Sequence, residues 1–269
     1  MNFHSDEWIM ERVREHYDES LEHFPEDRIV GIFYQGSGNY GLDYEGSDVD
    51  TKLIVTPTFK DIAMNQKAVS TTYIRENEEH IDFKDIRLYI QTFRKQNLNF
   101  IEILFTKYAI INPVYKAEWD RLVEAREAIA HYSPVQAIKS MKGIAMEKYH
   151  AMEHHYPARM AWIEKFGYDP KQLHHLLRVN EYISRYIDGE SYEDCLISKE
   201  PEYLQAVKTG FHNLDDARMI ANWAIGCIDK MCDKYLDTCS KEVDQDVDAL
   251  LDDVQYNIMK IAIKKEIGD

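Results

Sequence analysis

Two aspartates, Asp48 and Asp50, stand on either side of one valine at the start of a predicted β-strand. In an extended chain alternate side chains point to the same side, so we expect both carboxylates to project together, with their Cα atoms about 6 to 7 Å apart. Paired carboxylates suit a site with two divalent cations, which activate an attacking oxygen and neutralise phosphate groups. The spacing therefore predicts that Asp48 and Asp50 are catalytic ligands for Mg²⁺, with Mn²⁺ as the alternative ion.

A glycine turn lies just upstream of the aspartates, where Gly36, Ser37 and Gly38 follow a branched and aromatic run at residues 28–35. The Ser37 hydroxyl and the amides around the glycines, at the start of a short helix, are expected to hold the phosphates of a nucleotide. Ser47, directly before the aspartates, is predicted to belong to the same nucleotide-binding turn.

Lys52 lies two residues beyond Asp50, on the same face of the predicted strand. Its ammonium group can balance the carboxylates or bind a phosphate of the nucleotide. A structural salt bridge is equally compatible with this position, so both interpretations stay open.

Glycines in the turn also satisfy the GxGxxG pattern of dinucleotide-binding proteins, at Gly36, Gly38 and Gly41. That pattern needs a full helix after the turn and an acidic residue about 20 positions further on. Here the SDVD segment at residues 47–50 begins the next strand almost at once, which argues against it. A Walker phosphate loop is excluded because no Gly-Lys-Ser/Thr follows, and a calcium loop because the required glycine and glutamate are misplaced.

The glycine-serine turn followed by SDVD resembles the signature of the DNA polymerase β-like nucleotidyltransferase superfamily. Three further segments, at residues 99–105 (NFIEILF), 140–143 (SMKG) and 167–178 (GYDPKQLHHLLR), resemble predicted nucleotidyltransferases of bacteria and their viruses. The resemblance implies a metal-dependent enzyme that transfers a nucleoside monophosphate from a nucleoside triphosphate to an acceptor hydroxyl or phosphate and releases pyrophosphate. A non-catalytic nucleotide-binding or partner-binding protein that retains the fold is the alternative.

A third catalytic carboxylate from a neighbouring strand is also implied by the resemblance, and the segment EEHIDFKD at residues 78–85 offers several. Asp82 is favoured because it lies between two apolar residues in the strand-like part, where it would complete the metal site. Asp85 stays the alternative, although it directly precedes a predicted helix and is well placed to be its N-cap. Glu79 is a third candidate.

The elements that must position these residues change in character along the chain. An amphipathic helix with Ser5 ahead of it opens the chain, strands are predicted at residues 28–35, 48–55 and 71–85, and a helix at 86–96. Helical periodicity dominates from about residue 113 onward. We predict an α+β fold, with a small mixed β-sheet in a nucleotidyltransferase domain at residues 1–130 and an all-helical domain at 131–269 that closes the active-site cleft.

The helical half carries a basic segment in which Lys171, His174 or His175, and Arg178 can share one face of a helix. We predict that Lys171, His175 and Arg178 bind the triphosphate or the acceptor. A surface basic helix with a core histidine is the alternative. Trp223, further along, is expected to pack in the core of the helices.

Composition limits the partners of this chain. Its 269 residues carry 32 Lys and Arg against 48 Asp and Glu, and the formal net charge of −16 repels long nucleic acids. The acceptor is therefore predicted to be a protein or a small molecule, and an RNA 3′ end is disfavoured although a local basic channel would permit it. The four cysteines form no CxxC pair, and neither a secretory signal nor a membrane span is recognisable, so we expect a cytoplasmic protein without membrane binding.

Overall fold

Hydrophobic periodicity divides the chain into a strand-containing part and a helical part, and the structure, a computed structural model that describes residues 3–268, has the same division. The fold is α+β, with a five-stranded mixed sheet in the N-terminal part followed mostly by helices, so the predicted fold class is confirmed. The chain forms two compact units, Met1–Tyr132 together with Val243–Asp269, and Ser133–Glu242. The predicted division at residues 130 and 131 did not include this return of the C-terminal segment to the first unit.

The sheet is built from runs rich in branched and aromatic residues. Its strands are β1 (Ile29–Gln35), β2 (Asp50–Val55), β3 (Ser70–Ile74), β4 (His80–Asp85) and β5 (Ala109–Ile111). They lie in the order β3-β4-β2-β1-β5, with β2 parallel to β4 and the other neighbouring pairs antiparallel. Because β1 and β2 are antiparallel neighbours, the end of β1 lies beside the start of β2.

The prediction of one strand at residues 71–85 is wrong, because this segment forms the hairpin of β3 and β4. The chain turns between Arg75 and Glu79, whose backbone groups are joined by an N–H to carbonyl hydrogen bond of 2.9 Å. Within the turn Glu78 has a φ of 67°, a left-handed conformation that alternation of apolar residues does not reveal. The second strand of the hairpin is the one that pairs with β2.

Helix α1 (Asp6–Ser20) covers one face of the sheet. The Ser5 hydroxyl accepts a hydrogen bond from the N–H of Trp8 at 3.2 Å, so the predicted N-cap is confirmed. Buried residues of α1 form one hydrophobic core with the strands, and it includes Ile9, Val13, Ile29, Ile32, Leu53, Val55, Ile81 and Phe83. Burial of this apolar surface holds α1 against the strands that carry the aspartates.

The opposite face of the sheet receives helices from the rest of the first unit. Between β2 and residue 132 the first unit contains the helices α2 (Phe59–Ala63), α3 (Ile86–Arg94), α4 (Leu98–Ile101), α5 (Lys116–Glu124) and α6 (Arg126–Ala130). The ring of Trp119 on α5 packs against Phe33 of β1, with the ring centroids 4.3 Å apart. Asp85 accepts a hydrogen bond from the N–H of Arg87 at 2.9 Å, so its predicted role as the N-cap of the following helix is confirmed.

The second unit, as far as residues 133–242 are described, consists of helices and contains no strand. They are α7 (Pro134–Ala151), α8 (Met160–Phe166), α9 (Pro170–Ile187), α10 (Tyr192–Leu196), α11 (Pro201–Lys208) and α12 (Leu214–Thr238). Helix α12 buries its small side chains, Ala217, Ala221 and Ala224, and leaves Trp223 60% exposed. The expectation that Trp223 packs in the core is therefore wrong, because the alanine face of α12 is the one that the unit covers.

Helix α13 (Gln245–Ile267) closes the chain and belongs to the first unit. Its Asp248 and Asp252 form ion pairs with Arg94 of α3 at 2.7 and 2.6 Å, and its Asp253 pairs with Arg121 of α5 at 2.7 Å. These partners are more than 130 residues away along the chain, so local periodicity predicts the helix but does not reveal which residues it packs against. No helix within residues 3–268 combines the length and the apolar character that crossing a membrane requires.

Candidate active site

The glycine turn and the aspartate pair meet where β1 ends and β2 begins. Gln35, the last residue of β1, is the register partner of Asp50, the first residue of β2. The hydroxyl oxygens of Ser37 and Ser47 lie 3.4 Å apart, and Ser47 also accepts a hydrogen bond from the N–H of Tyr44 at 2.9 Å. Two segments that are separated in sequence therefore form one loop cluster at this end of the sheet.

The turn itself packs tightly on Tyr34, which explains its glycines. A Cβ atom at Gly36 would lie 2.4 Å from the Tyr34 hydroxyl oxygen, and one at Gly38 would lie 2.9 Å from it. The expected short helix is one 3₁₀ turn at Ser37–Asn39. The N–H of Gly38, which we expected to hold a phosphate, donates to the Tyr34 hydroxyl at 3.1 Å instead. The Gly38 amide is therefore occupied, and the Ser37 hydroxyl remains a phosphate-binding candidate of the turn.

The two aspartates differ in their surroundings. Asp48 precedes β2 and is exposed, so the expectation that the strand begins at residue 48 is wrong by two residues. Asp50 is the first residue of β2, and its Oδ1 accepts the backbone N–H of His80 at 3.0 Å and lies 3.2 Å from the Nδ1 of that side chain. Asp50 is thus fixed by the neighbouring strand, whereas Asp48 lies at the open surface.

Between the aspartates, the N–H of Val49 donates to Glu79 Oε1 at 3.2 Å. The carboxylate of Glu79 also contacts His16 Nε2 at 2.9 Å, the guanidinium of Arg75 at 2.8 Å and the guanidinium of Arg12. Burial raises the pKa of Glu79, but hydrogen bonds from His16, Asn77 and Arg12 outweigh it and hold the pKa far below its usual value. Glu79 is a buried, ionised anchor for the backbone of the aspartate segment, with its oxygens already occupied.

Asp82, the favoured third carboxylate, is the register partner of Lys52 on the adjacent parallel strand. Its Oδ2 forms an ion pair with the Lys52 ammonium at 2.9 Å, and the Thr72 hydroxyl donates to its other oxygen. Burial raises the pKa of Asp82, but Lys52 and Thr72 outweigh that effect, so the pKa is lowered and the carboxylate is ionised. Alternation along β2 and β4 puts Asp50, Lys52 and Asp82 on one face of the sheet.

Asp85, the alternative third carboxylate, lies on the other side of β4, because it is three positions beyond Asp82. It is 1% exposed, caps α3, and forms an ion pair with Arg87 at 2.6 Å. Its oxygens therefore have structural partners, and its face of the strand is not that of Asp50. The geometry favours Asp82 over Asp85 for a site that includes the aspartate pair.

Two residues of this face were missed by sequence reasoning, Lys84 and Phe100. Lys84 follows Asp82 by two positions on β4, and its ammonium lies 4.2 Å from the centroid of the Phe100 ring. The Lys52 ammonium lies 4.3 Å from the same centroid. Burial, and after it repulsion by Lys52, lowers the pKa of Lys84. The alternation of polar residues in HIDFKD was a signal that could have identified Lys84, but nothing local indicates Phe100.

The side chains that could hold a metal are the two aspartates of the loop cluster. Within residues 3–268, no group of three or more His, Cys, Asp or Glu side chains is arranged to hold a metal ion. Magnesium is usually bound in proteins through one or two carboxylates together with substrate phosphates and water. The exposed Asp48 and the part-exposed Asp50 offer such oxygen ligands, so the donor set fits a magnesium ion that arrives with a triphosphate.

In the second unit, the basic segment lies on α9. His174 is buried and its Nδ1 contacts the carbonyl oxygen of Leu204 at 2.8 Å, so it is a core histidine. Burial lowers the pKa of His174 to about 3. Burial and the neighbouring His174, Lys171 and Arg178 also lower the pKa of His175 far below its usual value, so His175 is neutral at pH 7. The predicted nucleotide contacts of Lys171, His175 and Arg178 stay predictions, since these residues and the aspartate pair lie in different units.

Comparison with known proteins gives little further guidance. No family model and no curated protein matches the chain. Among solved structures, the chain is similar to a nucleotidyltransferase-like protein from Exiguobacterium sibiricum 255-15, with 11% sequence identity, coverage of 84% of this chain and 78% of that chain, and a TM-score of 0.30.

Proposed function

We propose that this chain is a nucleotidyltransferase that moves a nucleoside monophosphate from a nucleoside triphosphate to an acceptor hydroxyl or phosphate. The observation that carries the proposal is the contact between the Ser37 and Ser47 hydroxyls, 3.4 Å apart, which joins the glycine turn to the aspartate pair. A hydroxyl-bearing turn beside two carboxylates is suited to a phosphate chain and its cation. The resemblance of the same residues to the polymerase β-like signature supports the same reaction.

In this proposal Asp48 and Asp50 hold Mg²⁺, or Mn²⁺ in its place, and Ser37 and Ser47 donate to the phosphates of the nucleotide. The bound ion would neutralise the charge of the triphosphate and of the departing pyrophosphate. Asp50 is kept in place by the N–H of His80, and this fixed geometry lowers the entropy cost of positioning the substrate. The protein contributes mainly positioning and charge.

The third carboxylate of the proposed site is Asp82. In the reaction a bond forms between the acceptor oxygen and the α-phosphorus, the bond to the bridging oxygen breaks, and pyrophosphate leaves with that electron pair. An acceptor hydroxyl loses its proton, which the ionised Asp82 can accept, whereas an acceptor phosphate oxygen has no proton to lose. The ion pair with Lys52 makes Asp82 a weak base, which favours a role in orienting the acceptor.

The proposal is tested by measuring pyrophosphate release from each of the four ribonucleoside triphosphates with Mg²⁺ and a mixed pool of acceptors. The variant is Asp48→Asn combined with Asp50→Asn, which keeps the side-chain shape and removes both charges. Its matched control is Asp120→Asn, at a surface aspartate of α5 that pairs with Lys116 at 2.6 Å. Release by the wild type and the control, but not by the double variant, is expected. If none of the three proteins releases pyrophosphate with any acceptor, the proposal that the chain is an enzyme is contradicted.

A second candidate is a nucleotide-binding protein that does not transfer. The observation in its favour is the ion pair between Asp82 and Lys52 at 2.9 Å, which occupies the carboxylate that would complete a catalytic site. This candidate predicts that a nucleoside triphosphate with Mg²⁺ binds to the wild type and is recovered intact. Equilibrium binding measured beside pyrophosphate release separates it from the enzyme.

A further inference from the structure

The Lys84 ammonium lies beside the Asp82–Lys52 ion pair without a direct anionic partner of its own among residues 3–268. The side chain is half-buried on β4, and its ammonium forms no hydrogen bond and no ion pair with any of residues 3–268. Asp82, the nearest carboxylate on its strand, is already paired with Lys52. A desolvated ammonium without an anionic partner is costly to keep, so its position calls for an anion from outside the chain.

The ammonium groups of Lys84 and Lys52 share one aromatic ring. The ring of Phe100 lies below both the Lys84 and the Lys52 ammonium groups, with centroid distances of 4.2 and 4.3 Å. Asn97 caps the short helix that carries Phe100, and Gln35 donates to the carbonyl oxygen of Asn99 at 2.9 Å, which ties this helix to the end of β1. Lys52, Lys84 and Asp82 together carry a net charge of +1, in a chain whose total is −16.

The order of the strands shows that Lys84 lies on the β4 side of the proposed site. Strand β2, which carries Asp50, has β1 on one side and β4 on the other. The phosphate-binding turn with Ser37 follows β1, whereas Lys84 and Asp82 belong to β4. In phosphoryl transfer the attacking and leaving oxygens lie roughly in line on opposite sides of the phosphorus. A pyrophosphate that leaves on the β1 side requires an acceptor on the β4 side.

We infer that Lys84, with Lys52 beside it over Phe100, binds an anionic group of the acceptor, and that the acceptor is a small phosphate monoester. This inference rests on the proposed function, since it assigns the acceptor of the same reaction. A phosphate group on the acceptor meets the ammonium of Lys84 and directs a hydroxyl or a phosphate oxygen toward Asp82 and the α-phosphorus. A polycationic acceptor is repelled at this position, even though the acidic surface as a whole would attract it.

The first experiment measures binding of inorganic phosphate by titration calorimetry, without nucleotide and without divalent cation. Lys84→Met keeps the apolar stem over Phe100 and removes the charge, Lys84→Arg keeps the charge, and Lys67→Met at an exposed lysine is the matched control. We expect Lys84→Met to weaken phosphate binding at least about tenfold, as the loss of a charge-assisted hydrogen bond does, while the other two variants bind as the wild type does. Equal binding by Lys84→Met and the wild type overturns the inference.

The second experiment compares acceptors in matched pairs, glycerol 3-phosphate beside glycerol and ribose 5-phosphate beside ribose, with a 5′-phosphorylated RNA oligonucleotide and a cationic aminosugar as further arms. The inference is supported if pyrophosphate is released with the phosphorylated member of a pair. In Lys84→Met the KM for that acceptor should then rise at least about tenfold, while the KM for the nucleotide stays unchanged. If the neutral members are used equally well, or if only the RNA or the aminosugar is used, the acceptor assignment is overturned. The proposal that the chain is a nucleotidyltransferase is kept in that case. If the wild type releases no pyrophosphate with any acceptor, the proposed function is contradicted, and the acceptor assignment with it. The phosphate titration then tests only whether Lys84 binds an anion.

Discussion

The carboxylate of Glu79 accepts a hydrogen bond from the backbone N–H of Val49 at 3.2 Å, and Val49 is the residue between the two candidate metal ligands. Glu79 is itself held by His16 and Arg12 of α1 and by Arg75 of the β3–β4 hairpin. The backbone between Asp48 and Asp50 is therefore held, through Glu79, by residues of α1 and of the hairpin turn that have no place in the proposed site themselves. Glu79, once a candidate for the third carboxylate, is in this structure a positioning residue.

Replacing Glu79 by Gln should weaken both the fold and the proposed activity. The change removes the anion that the buried His16 and the two guanidinium groups share, although Arg12 keeps an ion pair with Glu15 and Arg75 keeps one with Glu19. Removing one partner of a buried ion pair costs about 3 to 5 kcal/mol when the other charge is left alone, so we expect a smaller loss here. We expect a lower free energy of unfolding in denaturant titrations and, in the fraction that folds, a lower kcat with little change in the KM for nucleotide. The control is Glu22→Gln at an exposed residue of the same region. Full stability and full kcat in Glu79→Gln would show that the anchor is dispensable.

Asp82 and Asp85 should separate into a functional and a structural carboxylate. Asp82→Asn keeps the shape of the side chain, and we expect pyrophosphate release to fall by about a hundredfold, since the charge that orients the acceptor is lost. Asp85→Ala removes the N-cap of α3, and we expect about 1 kcal/mol or more of lost stability with kcat kept in the folded fraction. Steady-state kinetics beside thermal unfolding reports both effects. If Asp85→Ala lowers kcat and Asp82→Asn does not, Asp85 is the functional carboxylate and Asp82 the structural one.

Gly36 should tolerate no side chain, because a Cβ atom there would lie 2.4 Å from the Tyr34 hydroxyl oxygen. Gly36→Ala must displace the turn that carries Ser37, so we expect lower stability and a KM for nucleotide raised about tenfold. Gly143 on α7 offers a matched control, since a Cβ there meets nothing within 4 Å. Gly143→Ala should instead stabilise the protein by about 0.5 to 1 kcal/mol, because alanine has the higher helix propensity. If Gly36→Ala, like Gly143→Ala, lowers neither the stability nor the affinity for nucleotide, the tight packing of the turn on Tyr34 is contradicted.

The buried His174 should make the stability of the protein fall in acid. Burial and the nearby charge of Lys208 lower its pKa from the model-peptide value of 6.5 to about 3 in the folded state. Between these two pH values the unfolded chain binds a proton that the folded chain does not, so the free energy of unfolding decreases as the pH falls from about 6.5 toward 3. One such group changes the free energy of unfolding by up to about 1.4 kcal/mol per pH unit in this range, and above pH 6.5 it no longer makes the stability depend on pH.

Denaturant titrations from pH 7.5 to 4 measure this slope. His174→Asn keeps a donor for the carbonyl oxygen of Leu204 and removes the titrating ring, so we expect a shallower decrease of stability in acid than in the wild type. His175 also has a lowered pKa and should leave part of the slope in place. The control is His150→Asn at an exposed position. The same slope in His174→Asn and the wild type would mean that other groups cause the acid sensitivity.

The sequence by itself was sufficient for features whose cause is local. The Ser5 cap, the Asp85 cap and the strand at Ile29–Gln35 follow from side chains within a few residues of each other, and the α+β class follows from the change in hydrophobic period along the chain. Spacing also predicted a phosphate and cation site at the glycine turn and the aspartate pair, since that chemistry requires those residue types close together. The structure brings the two segments together, and their role stays a prediction.

Tertiary structure alone decided which of these residues meet and which partners they have. The register between β2 and β4 pairs Lys52 with Asp82 across 30 positions, and folding of the helix at Leu98–Ile101 onto the sheet puts Phe100 beneath Lys52 and Lys84. Such contacts join residues that local periodicity treats independently, since a strand's pattern fixes which side chains share a face but not which strand lies beside it. The sequence therefore determined the chemical groups and the fold class, and the pairing of distant strands decided their geometry.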